Sequence, residues 1–505
     1  MAIPLFPTLY QINTRIWLAE LGVRLGRKVT LLDVPQSELD ALAARGFDWV
    51  WLLGIWQTGL ASRQVSASSP AFRQGYAVDL PDFTDADICG SPFAIREYRV
   101  HDDFGGNAAL ALFRVRLAER GIKLLLDFVP NHTALDHPWT QSHPEFYIDG
   151  SADDLIRQPQ NYTTISTPAG ERIIAHGRDP YFPGWADTLQ LNYRHAGFRR
   201  AMLAELSRIA MQCDGLRCDM AMLLLPDVIA RTWGERSLPS DGTRPVDQSF
   251  WPEAISALRS SHRDFLFMAE VYWDLEWQLQ QEGFDYTYDK RLADRLHAQN
   301  ALAVRGHLQA DAEFQRRSVR FLENHDEPRA AFAFSPEVHP AAALIAMLVP
   351  GLRLFHDGQL EGRTSRASIH LSRRQREPVD ESLRAFYDKL LGLLRLPQLR
   401  SGTWRLLDVL PAWEGNHSHE PFLVFWWNPP AGASNLSPLL VVVNYAATRG
   451  QCYAQWPTEN QRDERIFLID LLHPTSYERE RANLLRHGLY LDMPAWGTHV
   501  FEVRG

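Results

Sequence analysis

Short, almost wholly apolar runs alternate with amphipathic segments from the N-terminus to about residue 390, and eight such runs occur. Inside the runs there is little period-2 alternation, as expected of strands covered on both faces. These observations predict an α/β fold in which eight parallel strands close into a (β/α)8 (TIM) barrel. The runs fall at residues 9–16, 47–53, 122–129, 215–220, 265–271, 284–288, 319–322 and 352–355. Helical patterns lie between them, among others at 36–44, 108–120 and 382–396. In the last, Leu383, Phe386, Leu390, Leu391 and Leu394 form one apolar stripe.

Two departures set the domain organisation. After Thr133 the alternation lapses through Trp185, in a stretch rich in Pro, Gly, Asp and aromatics. So long a connection predicts an inserted subdomain after strand 3. Beyond about Arg400 the texture changes to short β-rich runs (422–427, 439–445, 466–471, 499–503) separated by turn-rich pieces such as 428–435. That pattern predicts a C-terminal all-β sandwich domain. The expected domains are a catalytic barrel at 1–132 and 190–396, an inserted subdomain at 133–189, and a β-domain at 397–505. The cluster Arg373, Arg374, Arg376 reads as a solvated face.

Composition excludes several classes. The 505 residues carry 52 Lys+Arg against 61 Asp+Glu, a formal charge of −9, which offers no footprint for nucleic acid or an anionic membrane. With 45% hydrophobic and 22% charged residues the chain can bury a large core. Cys89, Cys213, Cys218 and Cys452 form no CxxC or metal-ligand spacing. Residues 1–9 lack a basic segment followed by an apolar run, and the longest apolar stretch, 341–352, contains Pro350 and is too short to span a bilayer. A soluble, reduced, cytoplasmic protein is expected, with no bound metal or cofactor; the oligomeric state is open.

The informative feature is where polar groups fall relative to the strands. Asp127 through His132 follow the third run, Arg217 and Asp219 lie on the fourth, Glu270 ends the core of the fifth, and His325 and Asp326 follow the seventh. In a parallel barrel all C-terminal strand ends open on one face, so these groups are expected to converge. Each alone could be a helix cap or an ion-pair partner. Four strand ends all carrying ionisable groups are costly unless a site uses them. Three carboxylates, an arginine and two histidines in one pocket suit retaining glycoside hydrolysis, in which one carboxylate attacks and another protonates the leaving oxygen. Arg217, two positions from Asp219 on one strand face, could hold Asp219 ionised as nucleophile. A catalytically silent binding barrel and a metal-dependent hydrolase are the alternatives; the second lacks a paired-His motif.

The blocks at 127–132, 215–220, 265–270 and 321–326 resemble, in order and spacing, the four signature regions of the α-amylase superfamily, glycoside hydrolase family 13. That resemblance implies Asp219 as nucleophile, Glu270 as general acid/base and Asp326 as transition-state stabiliser. Arg217, His132, His325 and Asp127 would belong to the sugar-binding set, and Phe93 would stand where the family usually stacks a tyrosine on the sugar. It further implies an α-1,4-glucan or maltooligosaccharide substrate, with hydrolysis or glucanotransfer as the outcome. Met222 and Leu223 stand where amylases commonly carry a Lys-His pair, which puts the family's calcium in doubt although Asn131 remains available as a ligand. Gly90-Ser91-Pro92 ahead of Phe93 favours an open cleft. Tyr181, Phe182 and Trp185 could stack on glucose units, though packing of the inserted subdomain is the expected role for each, and Gln359 and Glu361 either line the site or cap the barrel.

Overall fold

The computed structural model describes residues 4–433, 435–457 and 463–505. Eight strands close the barrel: β1 (Thr8–Asn13), β2 (Trp49–Leu53), β3 (Lys123–Phe128), β4 (Gly215–Cys218), β5 (Leu266–Ala269), β6 (Tyr286–Tyr288), β7 (Ser318–Arg320) and β8 (Leu352–His356). Each pairs in parallel with its neighbours in sequence, and β1 closes on β8. Nearly every strand residue is buried, because side chains fill the interior and helices cover the outside. The register sets Arg217 beside Asp127 on one side and Met268 on the other. Asp219 and Glu270 are the first residues past β4 and β5, still tied by N–H bonds to Phe128 O (2.8 Å) and Cys218 O (3.0 Å).

In chain order, α1 (Thr14–Leu25) and α2 (Gln36–Ala44) follow the first barrel strand. The link from β2 to β3 holds a helix pair that the sequence pattern does not announce, α3 (Leu60–Ser68) and α4 (Pro70–Asp79), followed by the helix α5 (Gly106–Ala118). Tyr76, Leu80 and Ile88 of this link pack against Leu371, which comes from the connection after β8. Cys89 N–H donates to His370 O and Ser372 N–H to Asp87 O, both at 2.8 Å. The two connections thus form one wall above the C-terminal rim. Arg373 in this wall binds Asp82 and Asp87, while Arg374 is buried and ion-paired with Glu20 and Asp357. This corrects the reading of that arginine cluster as a solvated face: the chain folds over Arg374 because two carboxylates compensate its charge.

Between β3 and β4, His132–Ala134 pairs with Thr188–Gln190 and Tyr162–Thr167 with Gly170–Ala175, making two small antiparallel sheets. From Thr403 onward a six-stranded and a three-stranded antiparallel sheet enclose a core of their own that includes Phe422, Trp426 and Phe501. The opposite face of the larger sheet joins the barrel core through Leu423, Phe425 and Trp427, and Trp427 Nε1 donates to Leu348 O at 2.8 Å. Among the described residues no helix is long and apolar enough to cross a membrane.

Candidate active site

Arg217 is fully buried at the centre of the C-terminal rim. Its Nη1 lies 2.5 Å from Asp219 Oδ1 and its Nη2 2.8 Å from Glu270 Oε2. Trp51, Phe93 and Tyr288 surround the guanidinium, their ring centroids 5.2–5.8 Å from its carbon, and Arg217 Nε donates to Tyr288 Oη at 3.4 Å. Aromatic walls thus replace the solvent the cation has lost, and two carboxylates balance its charge.

Glu270 has three donors, and they are divided unequally. Oε2 takes the Arg217 contact and the Met220 N–H at 2.7 Å, whereas Oε1 takes the Tyr272 hydroxyl at 2.9 Å. Met220 adopts φ 43° and ψ 44°, a left-handed conformation that costs a side-chain-bearing residue energy and is held here where its N–H meets the carboxylate. Burial pushes the Glu270 carboxyl up to about 7; Arg217 opposes the rise, and Asp219 and Asp326 add to it. Asp219 is also pushed up by burial, and its ion pair with Arg217 pulls it back. For Asp326 burial acts upward too, but His325, whose Nε2 lies 3.0 Å away, and Arg217 outweigh it and hold the group at about 2. Glu270 and Asp326 are thereby driven apart, the first able to hold a proton near neutrality and the second firmly ionised.

A cavity of about 360 Å³ opens over these groups. Phe93, His132, Arg217, Asp219, Glu270 and Asp326 all stand on its wall. His132 is held uncharged by burial, its pKa near 3, with its ring 5.1 Å from Trp185. His325 and Asp127 stand behind the wall. His325 Nδ1 meets Gln11 Nε2 at 2.7 Å and positions Asp326. Asp127 accepts Trp51 Nε1 at 3.0 Å and Gly54 N–H at 2.7 Å, so both its oxygens are engaged by β2 and the turn after it.

Sequence reasoning missed Tyr272, Phe72, Asp187 and His370, all of them on the cavity wall. Trp185 also lies there, whereas Tyr181 and Phe182 are 58% and 66% exposed, so these three aromatics do not simply pack the insertion. Tyr181 instead meets Trp273 edge-on at 5.0 Å, three residues past Glu270. Gln359 bonds Tyr387 and the His356 backbone, and neither it nor Glu361 reaches the cavity.

The family model of the α-amylase catalytic domain matches residues 39–389, well over half of the chain. The chain belongs to the α-amylase family. It is 25% identical over 389 residues to α-amylase MalA of Haloarcula japonica, covering 76% of this chain and 47% of that protein. It is 22% identical over 286 residues to α-amylase 3 of Dictyoglomus thermophilum, covering 52% of each. The chain therefore spans about half the length of the curated relatives it matches. Among solved structures, the maltogenic α-amylase AmyB of Thermotoga neapolitana superposes with a TM-score of 0.66 at 19% identity, covering 98% of both chains. The α-amylase of Geobacillus thermoleovorans, solved with acarbose, gives 0.65 at 16% identity over the full length of both.

In this α-amylase family member the neighbourhood of Asn131 does not fit a calcium ion. Gln190 Nε2 lies 3.0 Å from Asn131 O, 3.0 Å from Asn131 Oδ1 and 3.1 Å from Leu191 O, and Asn131 Nδ2 donates to Gln190 Oε1 at 3.2 Å. An amide N–H₂ therefore sits among the oxygens that a hard cation would need, and it brings no negative charge. Among the described residues one group has metal-ligand chemistry, Asp470, His473 and His499 in the C-terminal sheets. There Asp470 accepts the Leu472 N–H at 2.9 Å and meets His499 Nδ1 at 2.7 Å, contacts that fasten the strand ends.

Proposed function

We propose that the chain is a retaining glycosidase that cleaves α-glucosidic bonds, with α-1,4-linked glucan or maltooligosaccharide as substrate. The observation that carries this reading is one guanidinium bridging Asp219 and Glu270 while Glu270 is raised to about 7. Two carboxyls sharing one cation suit the close pair of about 5–5.5 Å used by retaining enzymes better than the wider pair that admits a water. In the first step Glu270 gives its proton to the glycosidic oxygen as Asp219 Oδ attacks the anomeric carbon; the C–O bond breaks and the leaving sugar departs neutral. Ionised Asp326 offsets positive charge developing on the ring, and Phe93 offers its face to the sugar. In the second step ionised Glu270 takes a proton from water, whose oxygen displaces Asp219 and restores the free carboxylate.

A glucanotransferase would share every group and replace that water with a sugar hydroxyl. The Tyr181–Trp273 pair, formed on the segment three residues past the acid, favours this second reading, since it offers an aromatic platform for an acceptor. A cytoplasmic location is in keeping with four free thiols, three of them buried. Incubation with maltooligosaccharides, sucrose, trehalose and α-glucosyl phosphate, followed by product separation, tests the reading. Shorter maltooligosaccharides and glucose support hydrolysis, longer ones support transfer, and no product from any α-glucoside refutes both.

A further inference from the structure

Two titratable groups on the cavity wall besides His132, namely Asp187 and His370, have no part in the reaction above. Asp187 is 4% exposed, lies on the cavity wall, and its Oδ2 is buried without a hydrogen-bond partner. No ion pair to Asp187 occurs among the described residues, and burial raises its pKa to about 6. Leaving a carboxylate oxygen unpaired in the interior destabilises a fold, and such groups persist where a ligand completes them. Its neighbourhood is tied by hydrogen bonds. Ser62 Oγ donates to the Asp187 carbonyl at 2.7 Å, and one helical turn further along α3 Ser66 Oγ meets His370 Nδ1 at 3.0 Å. Both serines are buried, so one face of α3 fixes both residues. The Phe72 ring lies 5.0 Å from the His370 ring, and both line the cavity. Burial keeps His370 uncharged, with a pKa near 4. Nδ1 is occupied by Ser66, which leaves Nε2 for a ligand.

Resting on the glycosidase reading above, we propose that Asp187 and His370 are substrate-binding residues that receive sugar hydroxyls and set which glucose chains the pocket accepts. The chemistry is complementary: a carboxylate oxygen lacking a donor and a neutral imidazole nitrogen face a cavity wall beside the aromatic faces of Phe72 and Trp185, and a hexose presents hydroxyl donors on its edge and C–H groups on its face. The wall that carries them is the α3–α4 link joined to the connection after β8, so the sequence lengths of these two links would set chain-length preference.

The test compares wild type with Asp187→Asn and His370→Ala in steady-state kinetics on maltose through maltoheptaose, with thermal melts and calorimetric binding of maltotriose. Asp187→Asn is expected to raise KM or the maltotriose Kd tenfold or more, with a melt unchanged or higher, because the unpaired charge is gone. His370→Ala is expected to weaken binding severalfold and to shift the ranking of chain lengths. A lower melt with unchanged KM and Kd makes Asp187 a structural residue and overturns the proposal. Wild type without turnover on any α-glucan removes the glycosidase reading alone; the binding comparison then still decides whether Asp187 holds sugar.

Discussion

Replacing Tyr272 by Phe removes the one donor on Glu270 Oε1 and leaves both donors on Oε2 in place. Because Oε2 is already occupied by two donors, Oε1 is the oxygen that carries the acid proton. A hydroxyl donating to it favours the ionised form, so its loss raises the Glu270 pKa. A hydrogen bond to a charged group contributes about 1.5–3 kcal/mol, and one pKa unit corresponds to about 1.36 kcal/mol, which gives an upward displacement of about 1–2 units. Water entering from the cavity replaces part of the lost bond, so about one unit is expected. Since the acid must be protonated, kcat/KM of the wild type should fall as pH rises through about 7. The profile of Tyr272→Phe should fall about one unit later, with activity at pH 6 lowered only modestly. An alkaline limb that stays put or moves to lower pH refutes the assignment of Oε1 as the proton-bearing oxygen.

Asp219→Asn and Glu270→Gln should each lower kcat by about 10³-fold or more while the melt stays near wild type, measured on the same preparations. Arg217→Ala should destabilise the fold by about 3–5 kcal/mol in denaturant titrations, since it strands two buried carboxyls, and Arg217→Lys should keep more stability but little activity because an ammonium lacks the planar fork. Exhaustive chelation should leave melt and turnover unchanged, given the amide that occupies the oxygens around Asn131; a melt lowered by chelator and restored by calcium contradicts that reading. Gln190→Ala should loosen the link between β3 and the inserted sheets and lower the melt by several degrees, because three backbone and side-chain oxygens lose their donor.

The barrel is legible in the sequence because strands buried on both faces must be apolar throughout, and the carboxylates that break those runs mark the strand ends. That logic locates Asp219, Glu270, Asp326 and Arg217, since burying a charge at the end of an apolar run costs stability that a functional site recovers. It fails for Tyr272, because an aromatic two residues past a strand also reads as core. It fails for α3 and α4, whose Ser- and Gly-bearing sequences show no strong apolar stripe: their fixed position comes from Leu371 and Arg373, the latter paired with Asp82 at a sequence separation of 291. Asp187 is hidden for a related reason: it lies in an aperiodic insertion where acidic residues are common, and only tertiary burial distinguishes it. Asp127 and His325 show the converse limit, since their position at strand ends places them near the site but cannot say whether they face the cavity or support it.

If Asp219 and Glu270 act across one sugar in two displacements, the anomeric configuration of the first product reports it directly. Proton NMR during the first minutes of maltooligosaccharide cleavage, before mutarotation, should show the α-anomer at the newly released reducing end. Initial release of the β-anomer contradicts the account, because a single displacement by water inverts the anomeric carbon and forms no bond to Asp219.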